Sequence, residues 1–118
     1  SSDAPDTDFM VRLCDVDEAG RSVKLADGIL AARFRNGFSA PEYLEPGKVE
    51  KLVIRTSKIS HCFLPGHRLR VSVTSGKHFV FPNSNTKDAY NSTESRVAHN
   101  TVWHGGAAPS HILLHVER

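Results

Sequence analysis

A chain of 118 residues with 15 Lys/Arg against 13 Asp/Glu and a formal charge of +2 fits one domain and is long enough to bury a real core. The two signs are mixed, with no Lys/Arg run and no interleaving of basic and aromatic residues, which excludes nucleic acid as the expected partner. No apolar stretch approaches the roughly 18–20 residues that span a membrane and no signal-peptide pattern opens the chain, so no membrane partner is expected either. Residue 1 is Ser, which leaves room for upstream sequence.

Residues 9–16, Phe-Met-Val-Arg-Leu-Cys-Asp-Val, are apolar on nearly both sides and predict a central strand. Asp17, Glu18, Ala19, Gly20 and Arg21 supply the turn after it. The β pattern resumes over 23–34, with Gly28 interrupting it at an expected bulge or bend. A loop over 35–46 carries Phe38, Tyr43 and Leu44 and leads into Pro46-Gly47. Strands follow over 48–56 and, after a kink, over 59–63. Pro65-Gly66 then reads as a type II turn, because Pro presets φ at the second position and Gly supplies the positive φ that follows. Beyond it Leu69, Val71 and Val73 point one way while Arg68, Arg70, Ser72 and Thr74 point the other, the pattern of a half-buried antiparallel strand. A short aromatic run, His78-Phe79-Val80-Phe81, precedes a polar loop over 82–93, and loops of that length are usually functional or mobile. Residues 96–104 and 111–117 predict a final strand pair, with Trp103 packed in the core. Seven or eight short strands and no long helical period argue for a β-sandwich or jelly roll.

The chemistry-bearing motifs are missing. There is no Gly-x-Ser-x-Gly elbow, no His-Glu-x-x-His, no phosphate loop and no Cys-x-x-Cys, so no catalytic residue, cofactor or metal is expected on this chain. Gly20-Arg21-Ser22 comes nearest to an elbow but lacks the second glycine. The seven histidines read as structural or solvated. His99 and His104 differ in parity, and His61, His67 and His78 fall at turn or strand ends. His111 and His115 share a face about 13 Å apart along the strand, too far for one metal. Asp3, Asp6 and Asp8 cluster, as do Asp15, Asp17 and Glu18. The second group has the oxygens for calcium, but acids bonding local backbone at strand ends are the simpler reading. Cys14 and Cys62 sit among apolar neighbours and read as two buried free thiols. Asn91-Ser92-Thr93 is a glycosylation-type triplet, which carries meaning only on a secretory route.

Several segments, taken in order, carry a resemblance. They are Ser2-Asp3-Ala4-Pro5-Asp6-Thr7-Asp8-Phe9, Leu13-Cys14-Asp15-Val16-Asp17, Asp27-Gly28-Ile29-Leu30, Leu44-Glu45-Pro46-Gly47, Gly66-His67-Arg68-Leu69-Arg70-Val71 and Asn100-Thr101-Val102-Trp103-His104. Together they resemble the C-terminal, non-catalytic domain of the X-Pro dipeptidyl-peptidase and cocaine-esterase family of serine hydrolases. The family usually has Arg where this chain has Ala31. Its Asn-x-Asn-Thr-Gly loop is here Asn83-Ser84-Asn85-Thr86 followed by Lys87, and its terminal Leu-Pro-Val is Leu114-His115-Val116. The resemblance implies an all-β, jelly-roll sandwich of the galactose-binding-domain-like kind over residues 1–118. It also implies a partner, the α/β-hydrolase catalytic domain of the same parent chain, on which the whole Ser-Asp-His triad lies.

The family's jelly roll begins upstream of the Ser-Asp-Ala-Pro segment, so this chain is expected to be its later part, lacking the N-terminal strands, and to self-associate when isolated. The function expected is to brace the hydrolase domain of an acyl esterase or Xaa-Pro dipeptidyl-peptidase and help wall its substrate pocket. Phe79, Phe81, Pro82, Asn83 and Asn85 are the candidate face toward that domain, because aromatics flanking a long polar loop gain little from exposure. The alternative, from another class, is a stand-alone jelly-roll module binding a carbohydrate or other ligand.

Overall fold

The computed structural model describes residues 1–75 and 84–117. Within them the chain is all-β, with three strands and one 3₁₀ turn: β1 (Asp8–Val16), β2 (Ser22–Ala31), the turn Ala32–Phe34, and β3 (Arg68–Thr74). They form one antiparallel sheet in the order β2-β1-β3, so the strand that is apolar on nearly both sides is indeed the central one. The β1–β2 hairpin is closed by Asp17. Its backbone N–H donates to Arg21 O at 3.0 Å, and its Oδ1 accepts the Arg21 N–H at 2.8 Å. Gly20, at φ 84°, makes the reversal that an L side chain resists.

Directly opposed residues of antiparallel strands share a face. Val11, Leu13 and Asp15 therefore lie beside Val73, Val71 and Leu69 of β3 on one side of the sheet. On the other side Arg12 faces Asp27 of β2, and its Nε reaches Oδ1 at 2.8 Å. Lys24 joins at 3.2 Å, and these two cations, Arg12 first, hold the Asp27 carboxyl down at about 2. Phe9, Ala32 and Leu44 form the buried cluster, with Leu52 and Ile54 packed against it. Burying a side chain the size of Phe9 stabilises by about 1.5–3 kcal/mol.

The β pattern expected over 23–34 ends earlier, at Ala31, where the chain tightens into the 3₁₀ turn as Ala32 N–H bonds Thr7 O at 2.9 Å. Gly28 is not a bulge. It pairs with Val11 in register, and the irregularity falls between Leu13 and Cys14. Glycine is required there because a Cβ would stand 2.5 Å from the Arg55 carbonyl oxygen, where the chain crosses β2.

The strands expected at 48–56, 59–63, 96–104 and 111–117 are not formed among the described residues. The alternation is present over 51–56: Leu52, Ile54 and Thr56 are half-buried while Lys51, Val53 and Arg55 are exposed. A strand needs a ladder as well as a pattern. Among the described residues the backbone of segment 50–57 makes only the bond from Ser57 N–H to Asp27 O, at 3.2 Å. Residues 99–101 meet 1–3 through one bridge, Ser2 to Asn100.

Candidate functional site

Of the five residues expected to face a catalytic domain, Phe79, Phe81, Pro82 and Asn83 lie outside the described residues. Asn85 is half-buried and lines a recess of about 310 Å³ with Ser75, Arg96, Val97, Ala98 and Asn100. Its side-chain amide donates to Arg96 O at 2.8 Å, and Arg96 Nη2 donates to Asp3 O at 2.7 Å. Asn100 donates to Ser75 Oγ at 2.7 Å and Thr7 Oγ1 at 3.2 Å, while its own Oδ1 is buried without a partner among the described residues. The recess thus joins the start of the chain, the end of β3 and residues 84–100.

The loop that follows is folded by its own polar groups. Asp88 Oδ1 accepts the backbone N–H of Asn91 at 3.0 Å and of Tyr90 at 3.2 Å, an Asx-type turn that draws the Asp88 carboxyl below its usual range. The Tyr43 hydroxyl donates to Lys87 O at 2.7 Å and fastens this loop to the 35–46 segment.

Two histidines that sequence reasoning left as solvated or structural converge on one acid. His61 Nε2 lies 2.8 Å from Asp15 Oδ2 and His67 Nδ1 lies 2.9 Å from Asp15 Oδ1. The His61 bond first, then that of His67, hold the Asp15 carboxyl below the usual carboxylate range. The acid cluster weighed for calcium is therefore divided, since Asp17 goes to Arg21 at 2.6 Å.

The first acid cluster goes inward instead. Asp6 and Asp8 are buried, and Asp6 pairs with Arg33 across 27 residues of chain. No pattern in the sequence announced that pair.

Two further expectations are corrected. Cys14 is buried but Cys62 is exposed, because the segment around it runs along the outside with Ile59 and Leu64 also exposed. Trp103 is 46% exposed rather than packed in the core, with its indole N–H donating to Ser1 Oγ at 3.2 Å.

The sequence matches the model of the X-Pro dipeptidyl-peptidase C-terminal non-catalytic domain over residues 1–113. The chain belongs to that family. A cocaine esterase from Rhodococcus sp. (strain MB1 Bresler) is 38% identical over 118 residues, covering 97% of this chain and 21% of the esterase. The crystal structure of an aminopeptidase from a marine sediment archaeon, Thaumarchaeota archaeon, superposes with a TM-score of 0.64 at 32% identity. That match covers 66% of this chain and 14% of the aminopeptidase. This chain thus spans about a fifth of the length of the esterase, and its match to the aminopeptidase about a seventh of that chain.

Proposed function

We propose that this domain is the non-catalytic jelly-roll portion of a serine hydrolase of acyl-esterase or Xaa-Pro dipeptidyl-peptidase type. It braces the α/β-hydrolase domain of the same parent chain and helps wall its substrate pocket. The observation that carries this reading is the family match over nearly the whole chain, to a domain whose relatives are enzymes several times longer. The surface supports it. Leu69, Val71 and Val73, 37–43% exposed, make an apolar row on β3, and Val102, Trp103, Ile112 and Leu114 are 41–46% exposed. Rows of this kind mark contact surfaces.

The test begins with the parent reading frame, where an α/β-hydrolase domain is expected. In that enzyme Phe79→Ala is expected to lower thermal stability or raise KM; no change in either would remove residues 79–85 from the interdomain face. The isolated chain is expected to show no turnover of a p-nitrophenyl ester above a denatured control. By light scattering at micromolar concentration it is expected to self-associate through its apolar rows. A clean monomer would mean that these rows need no cover.

The exposed indole of Trp103 favours one other reading, a carbohydrate-binding module. Glycan binding by the domain, abolished by Trp103→Ala, would replace the bracing role.

A further inference from the structure

Two carboxyl groups and one guanidinium are buried together where the chain enters β1. Asp6 is fully buried and Asp8 is 3% exposed. Asp6 accepts from two donors of Arg33: the backbone N–H at 3.0 Å on Oδ1 and the guanidinium Nη1 on Oδ2. The Arg33 guanidinium lies 4.9 Å from the Phe34 ring centroid and 6.0 Å from that of Tyr90, so aromatic rings flank it. Asp8 has the Ser84 hydroxyl as a hydrogen-bonding neighbour, and its Oδ1 is buried with no partner among the described residues. Among the described residues the charged groups acting on Asp8 are Asp6, two residues before it, and Arg33 from the 3₁₀ turn. Tyr90, from the loop over 84–93, acts on Arg33.

One guanidinium balances one carboxylate. A second ionised carboxylate in the same place would be a buried charge without compensation. We propose that Asp8 is a proton-binding site, folded as the neutral carboxylic acid, so that Asp6, Asp8 and Arg33 form a buried unit of zero net charge. The proton comes from solvent on folding. The neutral acid gains an O–H that the Ser84 oxygen can accept, and its orphan oxygen becomes an uncharged carbonyl, less costly to bury than a carboxylate.

Burial pushes the Asp8 carboxyl above its usual range and the nearby Asp6 adds to this, against the pull of Arg33 and of the Ser84 hydrogen bond. Burial raises the Asp6 carboxyl as well, despite the hydrogen bonds and charge of Arg33. The geometry places the proton on Asp8, because Arg33 donates to both oxygens of Asp6 whereas Asp8 Oδ1 has no partner among the described residues. A metal ion in place of the proton would need further ligands. Among the described residues no three His, Cys, Asp or Glu side chains are placed to hold one.

Because the folded acid binds its proton more tightly than the unfolded one, its contribution to stability falls as pH rises from the ordinary aspartate value of about 3.9 through the folded one. The experiment uses the protein expressed from its full reading frame, with Asp8→Asn and Asp6→Asn compared. Asp8→Asn, which imitates the neutral acid, is expected to keep or raise Tm at neutral pH, whereas Asp6→Asn lowers it. An infrared difference spectrum, wild type minus Asp8→Asn, is expected to contain a protonated-carboxyl C=O band at pH about 5, where an ordinary aspartate is mostly ionised. If Asp8→Asn fails to fold, wild-type protein isotopically labelled at its aspartate carboxyls gives the same reading. Absence of the band overturns the proposal. So does a rise in Tm with calcium in the wild type that Asp8→Asn abolishes, because the site would then hold a metal ion.

Discussion

At the start of β1 two acids, Asp6 and Asp8, share a single cation, Arg33, while near its far end one acid, Asp15, is shared by two imidazoles, His61 and His67. In the first arrangement burial pushes both carboxyls up, although Arg33 bonds each oxygen of Asp6. The second has a donor for each oxygen, so its carboxyl is held down. Residue type does not decide how an aspartate behaves; the cost of burial weighed against the hydrogen bonds and charges within reach does. Both ends also fasten distant chain to the same strand: Arg33 and Ser84 at one, the 61–67 segment at the other.

The largest expected effect breaks the first end. Asp6→Ala leaves the Arg33 guanidinium buried without its partner and is expected to destabilise by about 3–5 kcal/mol in chemical denaturation. A loss under about 1 kcal/mol would place the pair among solvated surface bridges. At the far end Gly66 holds φ 81° in the turn that precedes His67. Gly66→Ala is expected to cost about 1–2 kcal/mol, the strain of an L residue in the left-handed region, and to loosen His67 from Asp15. The His67 ring signals in NMR would report the loosening, and unchanged signals would uncouple the turn from the clasp.

Acid titration distinguishes the two ends by sign. The Asp15 contribution is complete above the unfolded value of about 3.9 and is lost as pH falls through its lower folded value. The Tm difference between wild type and Asp15→Asn is therefore expected to shrink toward zero in strong acid; a constant difference would mean that the clasp does not depend on the charge. Asp27, held at about 2, loses its contribution over the same interval, between about 3.9 and 2. Asp8, as proposed, runs the other way. The smallest effect is expected at Asn85→Ala, which removes one exposed bond to Arg96 O and shifts stability by no more than about 0.5 kcal/mol. A larger loss would show that the recess organises the fold as well as lining it.

Alternation and turn chemistry were readable from the chain alone because their causes are local. A side-chain period of two follows from the pleat, which is why 9–16 and 68–74 were legible as strands and 9–16 as central. Pro65-Gly66 and Pro46-Gly47 act through φ alone; Gly66 and Gly47 both sit at φ 81°, with His67 N–H on Leu64 O at 3.0 Å and Lys48 N–H on Glu45 O at 3.1 Å. The family was legible too, since its segments keep their order along the chain.

What only the tertiary structure decided has causes far apart in sequence. Asp6 meets Arg33 across 27 residues, and Asp15 meets His61 and His67 across 46 and 52. Burial of Asp8, exposure of Cys62 and Trp103, and the Arg55 oxygen that makes Gly28 obligatory likewise depend on which distant segment lies alongside. The alternating segment 50–57 states the limit: its pattern assigns each side chain to a face, but a strand also needs a neighbour to bond, and no residue determines its neighbour by itself.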